Sequence, residues 1–129
     1  MEITVSQEQG RVPVTVFRIK GPVTDNLAIE QRAQEAYDGG ARHLLIDLSD
    51  VPYMATAGLR ALHAVYDLLR SDSDESAEAT KKGIAAGTYV SPYLKLLKPT
   101  PHVLEALKAA GYDMFLDIHR DRRQAIASF

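Results

Sequence analysis

Apolar and polar positions along the chain alternate in ways that predict about five β-strands. Residues 11–20 place Thr15, Phe17 and Ile19 on one face of an extended segment, and residues 3–5 form a shorter strand before it. Residues 43–48 are almost continuously apolar, which is typical of a strand buried on both faces of a parallel sheet. Two further short strands are predicted at residues 93–97 and 115–118.

Helical periodicity fills the intervals between these strands. Helices are predicted over residues 27–37, 56–70 and 102–110, and a last one after Asp121. Thr24 or Asp25 can cap the first helix, and Gly39-Gly40 ends it. Strands that alternate with helices are connected by right-handed crossovers, so the pattern predicts an α/β domain whose helices pack on a largely parallel sheet.

One segment fits neither pattern. Residues 71–80 read SDSDESAEAT, with four acids, no base and no large apolar side chain. Such a segment buries too little surface to offset its ordering entropy, so we expect an exposed, mobile loop within an acidic insertion at about residues 71–92. A solvated loop is favoured over an acidic docking site.

Composition narrows the function. The chain has 129 residues, a net charge of −2 and no cysteine, so we expect a single domain, spanning residues 1–129, without disulfides or thiolate chemistry. The balanced charge argues against nucleic-acid binding. No apolar run is long enough to span a membrane and the first residues do not form a signal peptide, so a cytoplasmic location is expected.

Motifs for catalysis and cofactor binding are missing from the sequence. There is no Gly-x-Gly-x-x-Gly, no phosphate-binding loop and no Gly-x-Ser-x-Gly, and the four histidines lack the spacing of metal ligands. We therefore expect a protein that is not an enzyme and that uses no cofactor or metal.

The stretch 44–62, LLIDLSDVPYMATAGLRAL, resembles the centre of the STAS family, the sulphate-transporter and anti-sigma-factor-antagonist domains. Gly21 resembles the family's Gly-x-x-Asp position, and Gly111-Tyr112 through Ile118 resembles its C-terminal segment. The resemblance implies an α/β STAS fold: a mixed, mostly parallel sheet of about five strands with an antiparallel first strand and helices mainly on one face.

The resemblance also implies a function. STAS anti-sigma factor antagonists bind an anti-sigma factor of the serine/threonine kinase type and are switched by phosphorylation of a serine. Thr56 stands at that serine's position, Ala55 replaces the aspartate before it, and Thr24, followed by Asp25, replaces the acid of Gly-x-x-Asp. The implied partner surface comprises Thr24, Asp25, Tyr53, Ala55, Thr56 and Gly58.

Two alternatives to the phosphorylated switch stay open. The chain could be an unphosphorylated STAS scaffold or a regulatory subunit in a signalling or transport assembly, which Ala55 and the acidic insertion favour. Thr56 alone could be an ordinary N-cap, worth about 1 kcal/mol, at the start of its helix. In either case a phosphate on Thr56 would be tolerated, because helix N-termini favour anions. Oligomerisation is possible.

The acidic segment gives the first testable prediction. Replacing residues 71–80 with a shorter Gly-Ser linker should shift the thermal midpoint by no more than about 3 °C, because loop length has little effect on stability. Calorimetry on both proteins measures this shift. Loss of a cooperative melting transition would show that the segment belongs to the core.

Overall fold

A computed structural model describes residues 1–70 and 91–129, and these ranges contain five strands, four α-helices and one 3₁₀ turn. The strands are β1 (Glu2–Gln9), β2 (Pro13–Lys20), β3 (Leu44–Asp50), β4 (Leu94–Leu97) and β5 (Asp117–His119). The α-helices are α1 (Leu27–Asp38), α2 (Thr56–Arg70), α3 (Pro101–Ala109) and α4 (Arg122–Ala127), and the 3₁₀ turn is Tyr112–Met114.

The strands form one sheet in the order β1-β2-β3-β4-β5. β1 pairs with β2 antiparallel, and every later pair is parallel. This confirms the expected mixed, mostly parallel sheet. The pairing of β2 with β3 begins at Thr15, so Pro13 lies outside the parallel ladder. Its missing N–H therefore removes no hydrogen bond from that ladder.

The helices lie mainly on one face of the sheet, as predicted. Their buried side chains, such as Ile29 of α1, Leu62 of α2 and Val103 of α3, share one core cluster with Phe17 and Ile46 of the sheet. The opposite face is covered by α4, whose Ala125 packs in a smaller cluster with the sheet residues Val14, Val16, Leu45 and Leu97.

Some element bounds differ from the predicted ones. β1 is longer than residues 3–5, because all eight of its residues pair with β2. β3 continues to Asp50, which pairs with Lys20, two residues beyond the strand predicted at residues 43–48.

The last strand was predicted at residues 115–118 but is Asp117–His119. Gly111 has φ +79, and the 3₁₀ turn follows it. Phe115 ends that turn and packs its ring 5.0 Å from the ring of Tyr66 on α2 instead of entering the sheet.

The acidic segment, residues 71–80, lies outside the described residues. The predicted insertion extended to residue 92, but Ser91 is buried and its N–H donates a hydrogen bond to the carbonyl oxygen of Phe115 at 2.8 Å. Ser91 thus already belongs to the packed domain. Within residues 1–70 and 91–129, none of the helices is both long enough and apolar enough to cross a membrane.

A buried lysine attaches α4 to the sheet. Lys95 of β4 is 5% exposed, and its Nζ donates to Asp117 Oδ2 at 3.2 Å and to the carbonyl oxygen and Oγ of Ser128 at 3.1 and 3.0 Å. Its ammonium group also lies 5.1 Å from the ring centroid of Phe129. These contacts satisfy the buried charge and hold the C-terminal residues against β4 and β5.

His43 lies beside this cluster, with its ring 5.9 Å from that of Phe129 and 5.8 Å from that of Tyr93. Burial, followed by the positive charge of Lys95, lowers the pKa of His43 below its ordinary 6.5. As the pH falls, the unfolded chain therefore takes up the proton first, which favours unfolding. The stabilisation from neutral His43 is complete above that ordinary value and is lost as the pH falls from there towards the lower folded-state pKa.

His43→Gln should accordingly flatten the pH dependence of stability. Between about pH 7.5 and 5.5, the free energy of unfolding should fall less in the variant than in the wild type. Urea titrations at both pH values measure this difference. An equal fall in the two proteins would show that His43 titrates alike in the folded and unfolded chains.

Candidate partner-binding surface around Thr56

Two loops meet at the carboxyl ends of β2 and β3. The N–H of Gly21 donates to the carbonyl oxygen of Asp50 at 3.0 Å, and the N–H of Val23 donates to that of Tyr53 at 2.9 Å. The N–H of Ala55 returns a bond to the carbonyl oxygen of Val23 at 2.8 Å. These bonds extend the β2–β3 pairing beyond the strands, so the β2–α1 and β3–α2 loops form one backbone unit, which we call the paired loops.

α2 begins directly after the paired loops. The carbonyl oxygen of Ala55 accepts from the N–H groups of Gly58 at 2.9 Å and Leu59 at 3.2 Å, which places Ala55 at the N-cap position. Thr56 is thus the first residue of the helix rather than its cap, contrary to one of the sequence-based alternatives. Alanine has no side-chain acceptor, so the N-cap side chain does not bond to the first turn.

The Thr56 side chain is exposed. Among the described residues, its hydroxyl forms no hydrogen bond, and the N–H groups of Thr56 and Ala57 have no acceptor. The hydroxyl therefore lies open beside unsatisfied donors at the positive end of a 15-residue helix. This environment favours an added negative charge.

Gly58 holds α2 close to the paired loops. It is buried, and a Cβ at this position would lie 2.6 Å from Met54 Cγ and 2.8 Å from Val23 Cγ1. Only glycine permits this approach without displacing the two side chains. Gly58 was predicted as a surface contact, but it lies beneath the surface and supports it.

The other predicted surface residues lie on the paired loops or at the start of α2. Thr24 and Asp25 are exposed, Tyr53 is 46% exposed and Ala55 is partly exposed. The N-cap of α1 is Asn26, not the predicted Thr24 or Asp25, and its side chain makes no capping bond. Asp25, one residue earlier, accepts on Oδ1 from the N–H of Leu27 at 3.1 Å.

Two residues that the sequence reasoning missed add to this surface. Leu27, the first residue of α1, is 63% exposed, although it was treated only as the start of the helix. Leu27 does not share the apolar face of α1 that Ile29 and Ala33 form, and this helical spacing could have indicated its exposure. The ring of His102 lies 5.6 Å from that of Tyr53, a contact between distant parts of the chain that carried no sequence signal.

One ion pair lies beside the paired loops. Arg18 donates from Nη2 at 2.8 Å and from Nε at 3.1 Å to Asp50 Oδ2, and this bond raises the pKa of Arg18. In the described part of the chain, no group of three or more His, Cys, Asp or Glu side chains could hold a metal ion. The surface thus offers a hydroxyl, apolar side chains and backbone donors.

The sequence model of the STAS domain matches residues 4–75, which include the paired loops and all of α2. The chain belongs to the STAS domain family. Among proteins with curated functions, none matches the chain significantly.

Solved structures share the STAS fold. An anti-sigma factor antagonist from Mycobacterium paratuberculosis has a TM-score of 0.70 and 20% identity, with 98% of this chain and 93% of that chain covered. The unphosphorylated anti-sigma factor antagonist SpoIIAA has a TM-score of 0.63 and 15% identity, with coverage of 95% and 93%. The phosphorylated form of SpoIIAA, described as a Bacillus cell fate determinant, has a TM-score of 0.61 and 16% identity, with coverage of 97% and 96%. The STAS domain described here therefore resembles anti-sigma factor antagonists in fold.

Gly58→Ala tests the close approach of α2 to the paired loops. Alanine normally stabilises a helix relative to glycine, but here the added methyl group should collide with Met54 and Val23 and lower the free energy of unfolding by about 1–3 kcal/mol. Gly39→Ala is the control, because a Cβ there would lie 3.5 Å from its nearest neighbours, the carbonyl oxygens of Glu35 and Ala36. Equal effects of the two substitutions on urea unfolding would contradict the packing argument.

Proposed function

We propose that this STAS domain is a non-enzymatic regulatory module of the anti-sigma factor antagonist type, which binds an anti-sigma factor with kinase activity. The binding surface would consist of the paired loops and the start of α2. Family membership and fold similarity support this class of function, and the motif analysis of the sequence points away from catalysis. The proposed site of action is the bacterial cytoplasm, through protein contact and without nucleic acid.

The observation that carries the proposal is the exposed Thr56 hydroxyl at the first position of α2. Leu27 and Tyr53 expose apolar surface on the same two connections, and such side chains are suited to burial against a partner. Backbone bonds between the paired loops hold this surface in shape before a partner arrives, which reduces the entropy lost on binding.

Phosphorylation of Thr56 would switch this surface. The partner kinase would transfer the γ-phosphoryl group of ATP to Thr56 Oγ1, releasing ADP while the hydroxyl proton goes to the kinase base. The phosphate would add nearly two negative charges beside the free N–H groups of α2, where the fold tolerates them. A partner that fits the neutral hydroxyl would then have to desolvate that charge or supply a cation. Binding weakens while the domain stays folded.

A second candidate is an unphosphorylated STAS scaffold or regulatory subunit in a signalling or transport assembly. The specific observation in its favour is Ala55, a residue without side-chain acceptor at the N-cap position, directly before Thr56. A kinase that recognises an acidic side chain at this position would find only the methyl group of Ala55 in this chain. The same paired loops would then serve a constitutive contact.

Thr56→Glu and Thr56→Ala separate the two candidates. The partner is identified by affinity capture with the wild-type chain, and its binding to each variant is measured by calorimetry. Thr56→Glu should lower affinity about ten- to a hundredfold, or about 1–3 kcal/mol, and leave the melting temperature unchanged or higher. Thr56→Ala should bind as the wild type does.

Gln124→Glu is the matched control, because it adds one negative charge at an exposed position on α4, on the opposite face of the sheet. Incubation of the wild type with the captured kinase and ATP should add one phosphate, which mass spectrometry maps to Thr56. Equal affinity of wild type and Thr56→Glu, with no added phosphate, would support the scaffold instead.

A further inference from the structure

A cavity of about 510 Å³ lies between α3 and the edge strand β5, away from the residues of the paired loops. Its apolar lining includes Leu104 of α3, the buried Leu116 and the half-buried Ile118 of β5. The volume lies within the usual range of small-molecule sites, about 300–1,000 Å³.

Three cationic side chains line the cavity from separate parts of the fold. Lys98 follows β4, Lys108 lies in the last turn of α3, and Arg120 follows β5. All three are exposed, and none of their side chains forms a hydrogen bond or an ion pair with any residue in ranges 1–70 and 91–129. A bound anion would be attracted to all three.

The acidic side chains in the lining do not cancel this charge. Asp117 Oδ2 accepts from Lys95 Nζ at 3.2 Å, so the charge of that carboxylate is already compensated. Asp113 is the other carboxylate of the lining. Three cations against this single uncompensated carboxylate leave an excess of about two positive charges over an apolar floor.

The backbone at the cavity rim is held in an uncommon conformation. Lys98 has φ +47, the left-handed region that residues with a Cβ rarely adopt, and its N–H donates to the carbonyl oxygen of His119 at 2.8 Å. The bond joins the residue after β4 to the end of β5 and sets Lys98 at the rim. Strained backbone of this kind concentrates at ligand sites.

We propose that this cavity binds a small phosphate monoester with an apolar body. The dianionic phosphate matches the excess positive charge of Lys98, Lys108 and Arg120, and the apolar body covers Leu104, Leu116 and Ile118. A carboxylate carries less negative charge than the phosphate dianion and therefore matches the excess positive charge of the cavity less well. The site is separate from Thr56, so it stands or falls independently of the proposed anti-sigma function.

The probe is phenyl phosphate, titrated at about pH 7.5, where its phosphate is dianionic, and at constant ionic strength while amide NMR spectra of the whole chain are recorded. Saturable shifts are expected at Lys98, Ile118 and Arg120. Inorganic phosphate, which lacks the apolar body, and phenol, which lacks the charge, should each bind at least about fivefold more weakly than phenyl phosphate.

Lys98→Gln/Arg120→Gln should weaken phenyl phosphate binding at least about fivefold. The matched control is Arg11→Gln/Arg32→Gln, which removes the same total charge at sites outside this cavity and should leave the affinity unchanged within about twofold. The amide spectra of both variants report whether they remain folded. Equal weakening in the two variants, equal binding of inorganic phosphate, or shifts spread over the basic surface would overturn the proposal.

Discussion

The hydrogen bonds that join the paired loops are the constraint on which the candidate surface depends. Parallel strands bring the ends of β2 and β3 to one edge of the sheet, but strand pairing alone would leave two independent connections there. The bonds of Val23 with Tyr53 and Ala55 continue the pairing past the strands. They also fix where the chain can start α2, and hence where Thr56 lies.

This arrangement imposes a matching requirement on side chains. Val23 and Met54, which face each other across the bridge between the loops, are fully or nearly fully buried, and α2 rests on them through Gly58. Because Gly58 has no Cβ, the N-terminus of α2 can lie close to the loops even though Val23 and Met54 are bulky. These buried residues support the candidate surface from below, so its exposed residues can vary without loss of that packing.

Much of this architecture could be predicted from the sequence, because the patterns that indicate its strands and helices lie within short stretches of the chain. The apolar run at residues 43–48 predicted a doubly buried strand, and β3 is fully buried along most of its length because it pairs in parallel on both sides. α2 has the bounds that its periodicity predicted, and the exposed position of Thr56 followed from them. The last helix begins after Asp121 as expected, and Asp121 caps it by accepting from the N–H of Gln124 at 3.1 Å.

The misplaced features depend on contacts between distant residues. The apolar pattern predicts Phe115 within a strand, yet its ring packs against that of Tyr66 on α2, and no local pattern distinguishes these outcomes. Gly58 reads as a small, accessible residue, because its burial depends on Val23 from a different connection. The cationic cavity gave no local signal either, since its three cations are separated along the chain and meet only when α3 and β5 pack.

The position at which α2 ends has a consequence for how such a domain can diversify. A crossover helix starts at the carboxyl edge of a parallel sheet and returns the chain to the amino edge, so Arg70 and Ser91 lie at the edge opposite Thr56. The connection between them can therefore change in length and charge through evolution while the candidate partner-binding surface keeps its geometry. The two residues that bound this connection are separated from the candidate surface by the full length of the central strands.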